Sequence, residues 1–364
     1  MTVLLAVVLA IHGGVALVLG TNLVSLARRR ARALPRDLPT VSVLIPARNE
    51  EATLATLLPT LFRQRGVDLQ VVVVDDASED GTWGILQAAG DDRLTAVRGE
   101  GPPPGWVGKP HALFQAAQHA TGEVFVFLDA DARLVGDGAL ATLVGRWLDN
   151  GGDGTALTGL PRYLDRGPGA LLTSLVPFAV LAALPVPLVP RTAAPSLSAL
   201  NGQVWLLSGA DYARLAPHQA VRDEILEDVK IGRYLKRSGL RLWFEDLGDA
   251  VAVEMYRSFG EAWRGFQKNA YLLAGGGVLP FTAFFVLYAV SWVLPSVLWL
   301  DGGMSWWPLA TLAVLKLAID RAGRFPLWVS ALGPVALALG AALQLDSARA
   351  HATGAVAWKG RRVG

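Results

Sequence analysis

"EVFVFLDAD", residues 123–131, decides how this chain is to be read. A short apolar run, Val124 to Leu128, ends in two aspartates that flank an alanine. A run of this length, apolar throughout, reads as a buried strand. The two carboxylates are then either part of a solvated loop at the strand end or oxygen ligands placed to meet a metal-bound phosphate. The neighbouring segments decide between these.

Working outward, "VSVLIPA" (41–47), "LQVVVVDD" (69–76) and "GTALTGL" (154–160) have the same style of buried strand. Between them, "EEATLATLLPTLFRQ" and "KPHALFQAAQHA" carry apolar residues at helical spacing. Strands alternating with helices predict βαβ units. The expected fold class is α/β, a mostly parallel sheet with helices on both faces. Ligands of such sheets bind at the carboxyl ends of the strands, where "VVVVDD" and "FVFLDAD" place their aspartates.

The composition fits a globular part fused to membrane segments. Of 364 residues, 52% are hydrophobic and only 18% charged, and the mean hydropathy is +0.38. The net charge is only +2 and no Lys/Arg stripe is interleaved with aromatics, so nucleic acid is not an expected partner. The chain has no cysteine, which excludes disulfides, thiolate catalysis and Cys-based zinc sites. Its five histidines are scattered, which argues against a His-rich metal site.

Residues 1–27 are almost wholly apolar and are followed by a basic linker, 28–39, that carries "RRRARALPR". A cleaved signal would carry its charge before the apolar core. The stretch is expected to be a membrane anchor with Arg28–Arg36 in the cytoplasm. Residues 40–257 form the expected catalytic domain. Within it, 170–200 is apolar but interrupted by Pro177, Pro185, Pro187 and Pro190. That makes a straight spanning helix doubtful; an interfacial or re-entrant segment fits better, and a Pro-rich loop packed on the domain is the alternative. Residues 258–274 read as an amphipathic interfacial segment, 275–345 as a C-terminal transmembrane region and 346–364 as a basic tail. Residues 275–300 make a clear span; 305–319 are short for one, and 326–345 contain Gly333-Pro334. Charge at Arg321, Arg324 and "AWKGRR" puts both ends of 326–345 in the cytoplasm, so the sequence does not fix this topology.

Four carboxylate clusters mark the globular part: Asp75-Asp76, Asp129/Asp131, Glu227-Asp228 and Glu245-Asp246. The first two end strands; the third lies in "RDEILEDVKIGRYLKRSG", which reads as a helix. In "DDASEDGT", Ser78 or Asp80 would N-cap the following helix. Mg²⁺ or Mn²⁺ on a nucleotide diphosphate takes one or two carboxylates. Another carboxylate, not spent on the metal, can deprotonate an attacking hydroxyl. Lys109, at the start of a helical stretch, adds positive charge for the phosphates. This set describes displacement of a nucleoside diphosphate from an activated sugar.

The order of the pieces resembles the family 2 glycosyltransferases of the GT-A fold. The matching elements are "VSVLIPARNEE" (41–51), "VVVVDDASEDGT" (71–82), "GKPHAL" (108–113), "FLDADA" (127–132) and "LEDVKIGRYLKRSG" (226–239). The resemblance implies that Pro46, Ala47, Glu50 and Asp76 hold the base and ribose, and that Asp129 and Asp131 hold the metal and diphosphate. It makes Asp228 the catalytic base, with Glu227 beside it a candidate contact of the diphosphate or acceptor. "NGQVWLLSGADY" (201–212), His218, "EMYRSFGEAWRGFQKNAY" (254–271) and "WKGR" (358–361) resemble the membrane-anchored group that includes carotenoid and hopanoid-associated glycosyltransferases. There is no Gln-x-x-Arg-Trp box, which speaks against polymer synthesis. Arg264 and Lys268 either touch the diphosphate or acceptor or anchor an interfacial helix.

The expected function is inverting, metal-dependent transfer from a UDP-sugar to a membrane lipid such as a carotenoid, hopanoid or other isoprenoid. The expected location is a bacterial inner membrane with the catalytic domain cytoplasmic. Transfer to polyprenyl phosphate is the second enzymatic reading, and a non-catalytic membrane scaffold is the reading from another class.

Overall fold

The computed structural model describes residues 2–27, 37–358 and 361–362. The basic run Arg28–Arg36 and the centre of "WKGR" lie outside them. In chain order the elements begin with α1 (Thr2–Ala27), β1 (Val41–Ala47), α2 (Glu51–Phe62), β2 (Leu69–Asp76), α3 (Thr82–Ala88) and β3 (Leu94–Gly99). Next come α4 (Gly108–Gln118), β4 (Val124–Leu128), β5 (Ala132–Leu134), α5 (Ala139–Asp149), β6 (Thr155–Leu160) and β7 (Arg162–Tyr163). They continue with α6 (Ala170–Thr173), α7 (Leu175–Ala183), β8 (Val204–Ser208), α8 (Gly209–Leu215), α9 (Pro217–Ala220), α10 (Glu227–Arg237), β9 (Arg241–Asp246) and β10 (Val251–Val253). Six helices follow, α11 (Phe259–Leu273), α12 (Val278–Tyr288), α13 (Leu294–Leu300), α14 (Trp307–Ala322), α15 (Leu327–Ala331) and α16 (Gly333–Ala352), and then a short antiparallel pair, β11 (Ala357–Trp358) and β12 (Arg361–Arg362). The chain divides into two compact units, one of residues 1–25, 163–186 and 255–364, the other of 26–162 and 187–254.

The second unit holds a seven-stranded sheet in the order β3-β2-β1-β4-β8-β6-β9. Strands β1 to β4 are mutually parallel, and β6 runs parallel to β9. Only β8 is reversed, pairing antiparallel with β4 and β6. The expected mostly parallel sheet is therefore present, with one antiparallel insertion. Every residue of β4 and β8 is buried, as strands covered on both faces require. From β1 the chain steps outward to β2 and β3, then returns to lay β4 on the other flank of β1. Such a reversal leaves a crevice beyond the strand ends. Here the crevice is bordered by the ends of β1 and β4.

The stretch 170–200 does not behave as one element. Residues up to Val186 belong with the first unit and those from Pro187 with the second. In the second unit it forms a packed loop: the buried Lys236 ammonium of α10 donates to the carbonyls of Thr192 (3.1 Å), Ala194 (3.4 Å) and Leu197 (2.6 Å).

In the first unit, α1 and the continuous helical stretch 278–300 are each long and apolar enough to cross a membrane, and they are the two such helices among the described residues. A π turn, Ala289–Val293, joins α12 to α13 just before Pro295, whose missing N–H interrupts the regular ladder. Buried polar groups tie the helices together. Asn22 of α1 donates to the carbonyls of Leu181 and Leu184 and accepts from the Val186 N–H, closing the C-terminus of α7. His12 donates through Nε2 to the Ser291 carbonyl, and its Nδ1 meets Thr311 Oγ1. The apolar face of α11 lies against protein: Ala262 forms a core with Leu172 and Leu343, flanked by Phe259, Trp263 and Phe266. Asp346 of α16 accepts from Trp263 Nε1 (2.8 Å) and Gln267 Nε2 (2.7 Å).

Candidate active site

The loops that leave β1 and β2 are laced to each other. Arg48 donates to the carbonyls of Asp76 (2.8 Å) and Ala77 (3.0 Å). The Asn49 N–H donates to Ser78 Oγ, and Asn49 Oδ1 accepts from the Glu79 N–H. Asn49 (φ 52°) and Ala77 (φ 53°) adopt the left-handed conformation, which costs an L-residue roughly 1–2 kcal/mol. The bonds between the loops hold both residues in that conformation. Pro46 and Ala47 end β1, with Pro46 paired to Val74 and Ala47 to Asp75. The Glu50 N–H donates to Thr82 Oγ1 (2.8 Å), and the Glu50 carboxylate accepts from Thr53 Oγ1 (2.6 Å). Buried Asp75 accepts from the Ser78 N–H, so the first aspartate of the pair shapes the turn while Asp76 closes the strand. Asp80 accepts from the N–H and hydroxyl of Thr82 at the start of α3; Ser78 instead serves the Asn49 loop. His111, on α4, faces Asp76, and burial lowers its pKa against the opposing pull of that carboxylate.

The second group gathers around one ammonium. Lys109 lies in the first turn of α4. Its Nζ sits 2.7 and 2.9 Å from the two oxygens of Asp129 and 3.1 Å from Glu227 Oε1. Burial alone would lower its pKa, but Asp129, Glu227 and Asp228 together raise it well above the ordinary value. Glu227 and Asp228 lie on the expected helix, which starts later than the quoted stretch. They form the first turn of α10, where a helix favours negative charge. Asp228 Oδ1 accepts from the Val229 N–H (2.7 Å), and Oδ2 lies 3.4 Å from the Gly202 N–H. Burial and the adjacent Glu227 carboxylate, partly offset by Lys109, push the Asp228 pKa up to about 6. A carboxyl poised there can take a proton near neutral pH and return it.

Asp131 follows Asp129 at the corner between β4 and β5, its carbonyl accepting from the Glu254 N–H. No cluster of three or more potential metal ligands occurs among the described residues. Mg²⁺ and Mn²⁺ on a diphosphate need fewer, because phosphates and water complete the shell. Two hard carboxylates at a strand end, with a lysine able to give up Asp129 to a stronger cation, fit that requirement. Arg264 and Lys268 lie on α11, in the other unit.

Sequence reasoning gave no role to the turn Asn201-Gly202-Gln203, which meets Asp129, Lys109 and Asp228 through its backbone. Its signal was present as a glycine between two carboxamides just ahead of an apolar run. His218 lies beneath, fully buried. Its ring is 4.9 Å from Phe127, which stacks on Trp205 at 4.1 Å, and its Nδ1 is 3.0 Å from the Tyr212 hydroxyl. Burial, with Lys109 adding to it, lowers the His218 pKa to about 3, so this imidazole stays neutral and serves as packing.

Residues 42–179 match the family described as Glycosyl transferase family 2. The fold is GT-A-like, and the class of the protein is that of glycosyltransferases. Over 351 residues it is 24% identical to the 4,4'-diaponeurosporenoate glycosyltransferase of Staphylococcus aureus strain USA300, covering 92% of this chain and 90% of that one. Its fold is similar to that of the mannosyltransferase PcManGT from Pyrobaculum calidifontis, solved with GDP-Man and Mn²⁺. There the TM-score is 0.54 and the identity 22%, over 96% of this chain and 99% of that one.

Proposed function

We propose that this protein is an inverting, metal-dependent, membrane-anchored glycosyltransferase that moves a sugar from a nucleoside diphosphate donor, a UDP-sugar in the first instance, to a lipid acceptor. The observation that carries this reading is the convergence of Asp129 and Asp228 on Lys109 and on the 201–203 turn. One end of that cluster suits a diphosphate, and the other suits a proton acceptor.

In this reading Pro46, Ala47, Glu50 and Asp76 line the nucleoside end. Asp129 and Asp131 would hold Mg²⁺ or Mn²⁺, which would supply Lewis acidity for the diphosphate. Lys109 exchanges its contact with Asp129 for the phosphates. Asp228 removes the proton of an acceptor hydroxyl as that oxygen attacks C1 from the face opposite the diphosphate. The C1–O bond breaks, and its electrons leave on the diphosphate. The raised pKa of Asp228 suits a base that takes the proton of a hydroxyl acceptor. The relative named for diaponeurosporenoate supports an isoprenoid acceptor, and the mannosyltransferase solved in complex with Mn²⁺ supports the metal.

Membrane anchoring rests on α1 and residues 278–300. Val3, Leu17, Val278, Leu279 and Leu300 are each more than two-thirds exposed, a surface that lipid would cover. The positive-inside rule puts the domain after Arg28–Arg36 in the cytoplasm of a bacterial inner membrane.

Detergent-solubilised protein, given UDP-sugars or GDP-mannose, Mn²⁺ or Mg²⁺ and a carotenoid or polar lipid extract, should release nucleoside diphosphate and form a glycolipid detectable by mass spectrometry. Absence of both products with every donor would overturn the proposal.

A further inference from the structure

The turn Asn201-Gly202-Gln203 is built in a way that its backbone contacts alone do not explain. Asn201 is anchored on β6: its N–H donates to Thr158 Oγ1 (3.0 Å), and its Nδ2 donates to the Gly159 carbonyl (3.1 Å). Asn201 Oδ1 accepts from the Gln203 N–H (3.0 Å), which fixes which way that carboxamide points. Its Nδ2 therefore also donates to Gln203 Oε1 (3.3 Å), and this in turn orients the Gln203 amide. Gly202 sits in close quarters: a Cβ there would lie 3.2 Å from Lys109 Nζ and 3.3 Å from both Cβ and Oδ2 of Asp228, so those side chains would have to give way slightly. The result is a rigid turn that ends in one unused group, Gln203 Nε2. Among the described residues that nitrogen has no hydrogen-bond partner, and its residue is buried, only 6% exposed. A buried donor left unmade is costly, and a native site keeps one when a ligand completes it.

The ligand follows from position. Leu128 pairs with Val204 at the end of the β4–β8 ladder, and the Asp129 N–H donates to the Gln203 carbonyl (3.2 Å), so Gln203 stands opposite Asp129. One residue earlier, the Gly202 N–H faces Asp228. The turn thus runs from the carboxylate assigned to the diphosphate to the carboxylate assigned to the acceptor proton. In a displacement at C1, the group between leaving diphosphate and incoming oxygen is the transferred sugar. Lys109 already serves the anionic end, and a neutral amide N–H suits an uncharged oxygen.

We propose that Gln203 is a specificity-determining residue that donates a hydrogen bond to a hydroxyl oxygen of the transferred sugar, presented by the Asn201-Gly202-Gln203 turn. The assignment rests on the transferase reading above. A site built to bond a hydroxyl rejects analogues that lack or misplace it, because its own buried partner is then stranded.

The test compares wild type with Gln203→Met, which removes the donor, and Gln203→Glu, which keeps an acceptor for Asn201 but replaces the donor with an oxygen. Each is assayed with whichever of UDP-sugars or GDP-mannose the wild type turns over, with the epimers of that sugar and with its single-deoxy analogues. Affinity for the free nucleoside diphosphate and Tm are measured alongside. For Gln203→Met, kcat/KM on the preferred donor should fall about 10- to 100-fold. Its discrimination against one epimer and one deoxy analogue should shrink by a similar factor, while nucleoside diphosphate affinity and Tm hold. Gln203→Glu should lose the preferred donor at least as severely. Variants that keep the wild-type epimer profile, or that lose nucleoside diphosphate affinity and Tm together with activity, overturn the assignment and leave the transferase reading standing. A wild type that turns over no donor overturns both.

Discussion

Two lysines in this chain meet carboxylates in different ways, and the difference between them separates architecture from chemistry. Lys316 of α14 is wholly buried and pairs one-to-one with equally buried Asp320, one turn away at 2.5 Å. Ser174 Oγ lies 2.9 Å from the same ammonium, and Ser330 donates to the other oxygen of Asp320. Charge is balanced, and both partners are engaged by hydroxyls as well as by each other. Lys109, by contrast, is 30% exposed and faces three carboxylates, Asp129, Glu227 and Asp228. One positive charge does not balance three negative ones, which, with burial, favours a proton on Asp228. A closed pair resists ligands, whereas an unbalanced and partly open cluster calls for one.

The comparison can be broken most severely by chelation. With excess EDTA, turnover should fall to background and Mn²⁺ should restore it, while Tm in detergent stays within a degree or two of the untreated protein. Full activity in chelator would remove the reason given for the imbalance at Lys109. Next in size is Asp228→Asn, which keeps shape but cannot accept the proton. Turnover should drop ~10²–10⁴-fold with donor affinity retained; a parallel collapse of donor binding, followed by titration, would make Asp228 a donor or structural residue instead.

The closed pair predicts a different signature. Lys316→Met alone strands a buried carboxylate and should cost about 3–5 kcal/mol, read as a lower Tm in detergent, and adding Asp320→Leu should recover much of it. If the double variant is no better than the single, charge balance is not what this pair supplies. The smallest effect sharpens the open cluster. The acid limb of kcat/KM should fall near pH 6, because Asp228 acts as base only when deprotonated and its pKa is raised to about 6. Glu227→Gln removes the like charge that helps raise it, so the limb should move to lower pH. A limb that moves upward would contradict the assigned cause.

The site was legible in the sequence where a strand runs straight into its chemistry. Val124–Leu128 needs both faces buried, so Asp129 could only fall at the strand's end. Where the chain turns first, reading failed. Ile225 and Leu226 share helical spacing with the residues after them, which hid that α10 starts at Glu227; the acidic pair itself marked the first turn. The strand "VWLLS" was quoted but not read as one, and nothing local says that β8 inserts antiparallel between β4 and β6. That pairing depends on residues some eighty and fifty positions away, as counted from the ladder partners. The 170–200 stretch looked continuous because apolar composition does not reveal which of two units each half joins.

The lysine clasp at the far end of α10 gives that helix an orientation as well as a position. Asp228 occupies its first turn and Lys236 its last full turn, and all three ammonium hydrogens of Lys236 can be spent on the Thr192, Ala194 and Leu197 carbonyls. Successive residues of an α-helix are offset by about 100° around the axis. Slipping the helix by one residue would swing Lys236 out from under its three carbonyls and turn Asp228 away from Gly202 in the same motion. The helix is in effect a keyed shaft: a notch cut at one end sets the angle at which the other end presents its carboxylate.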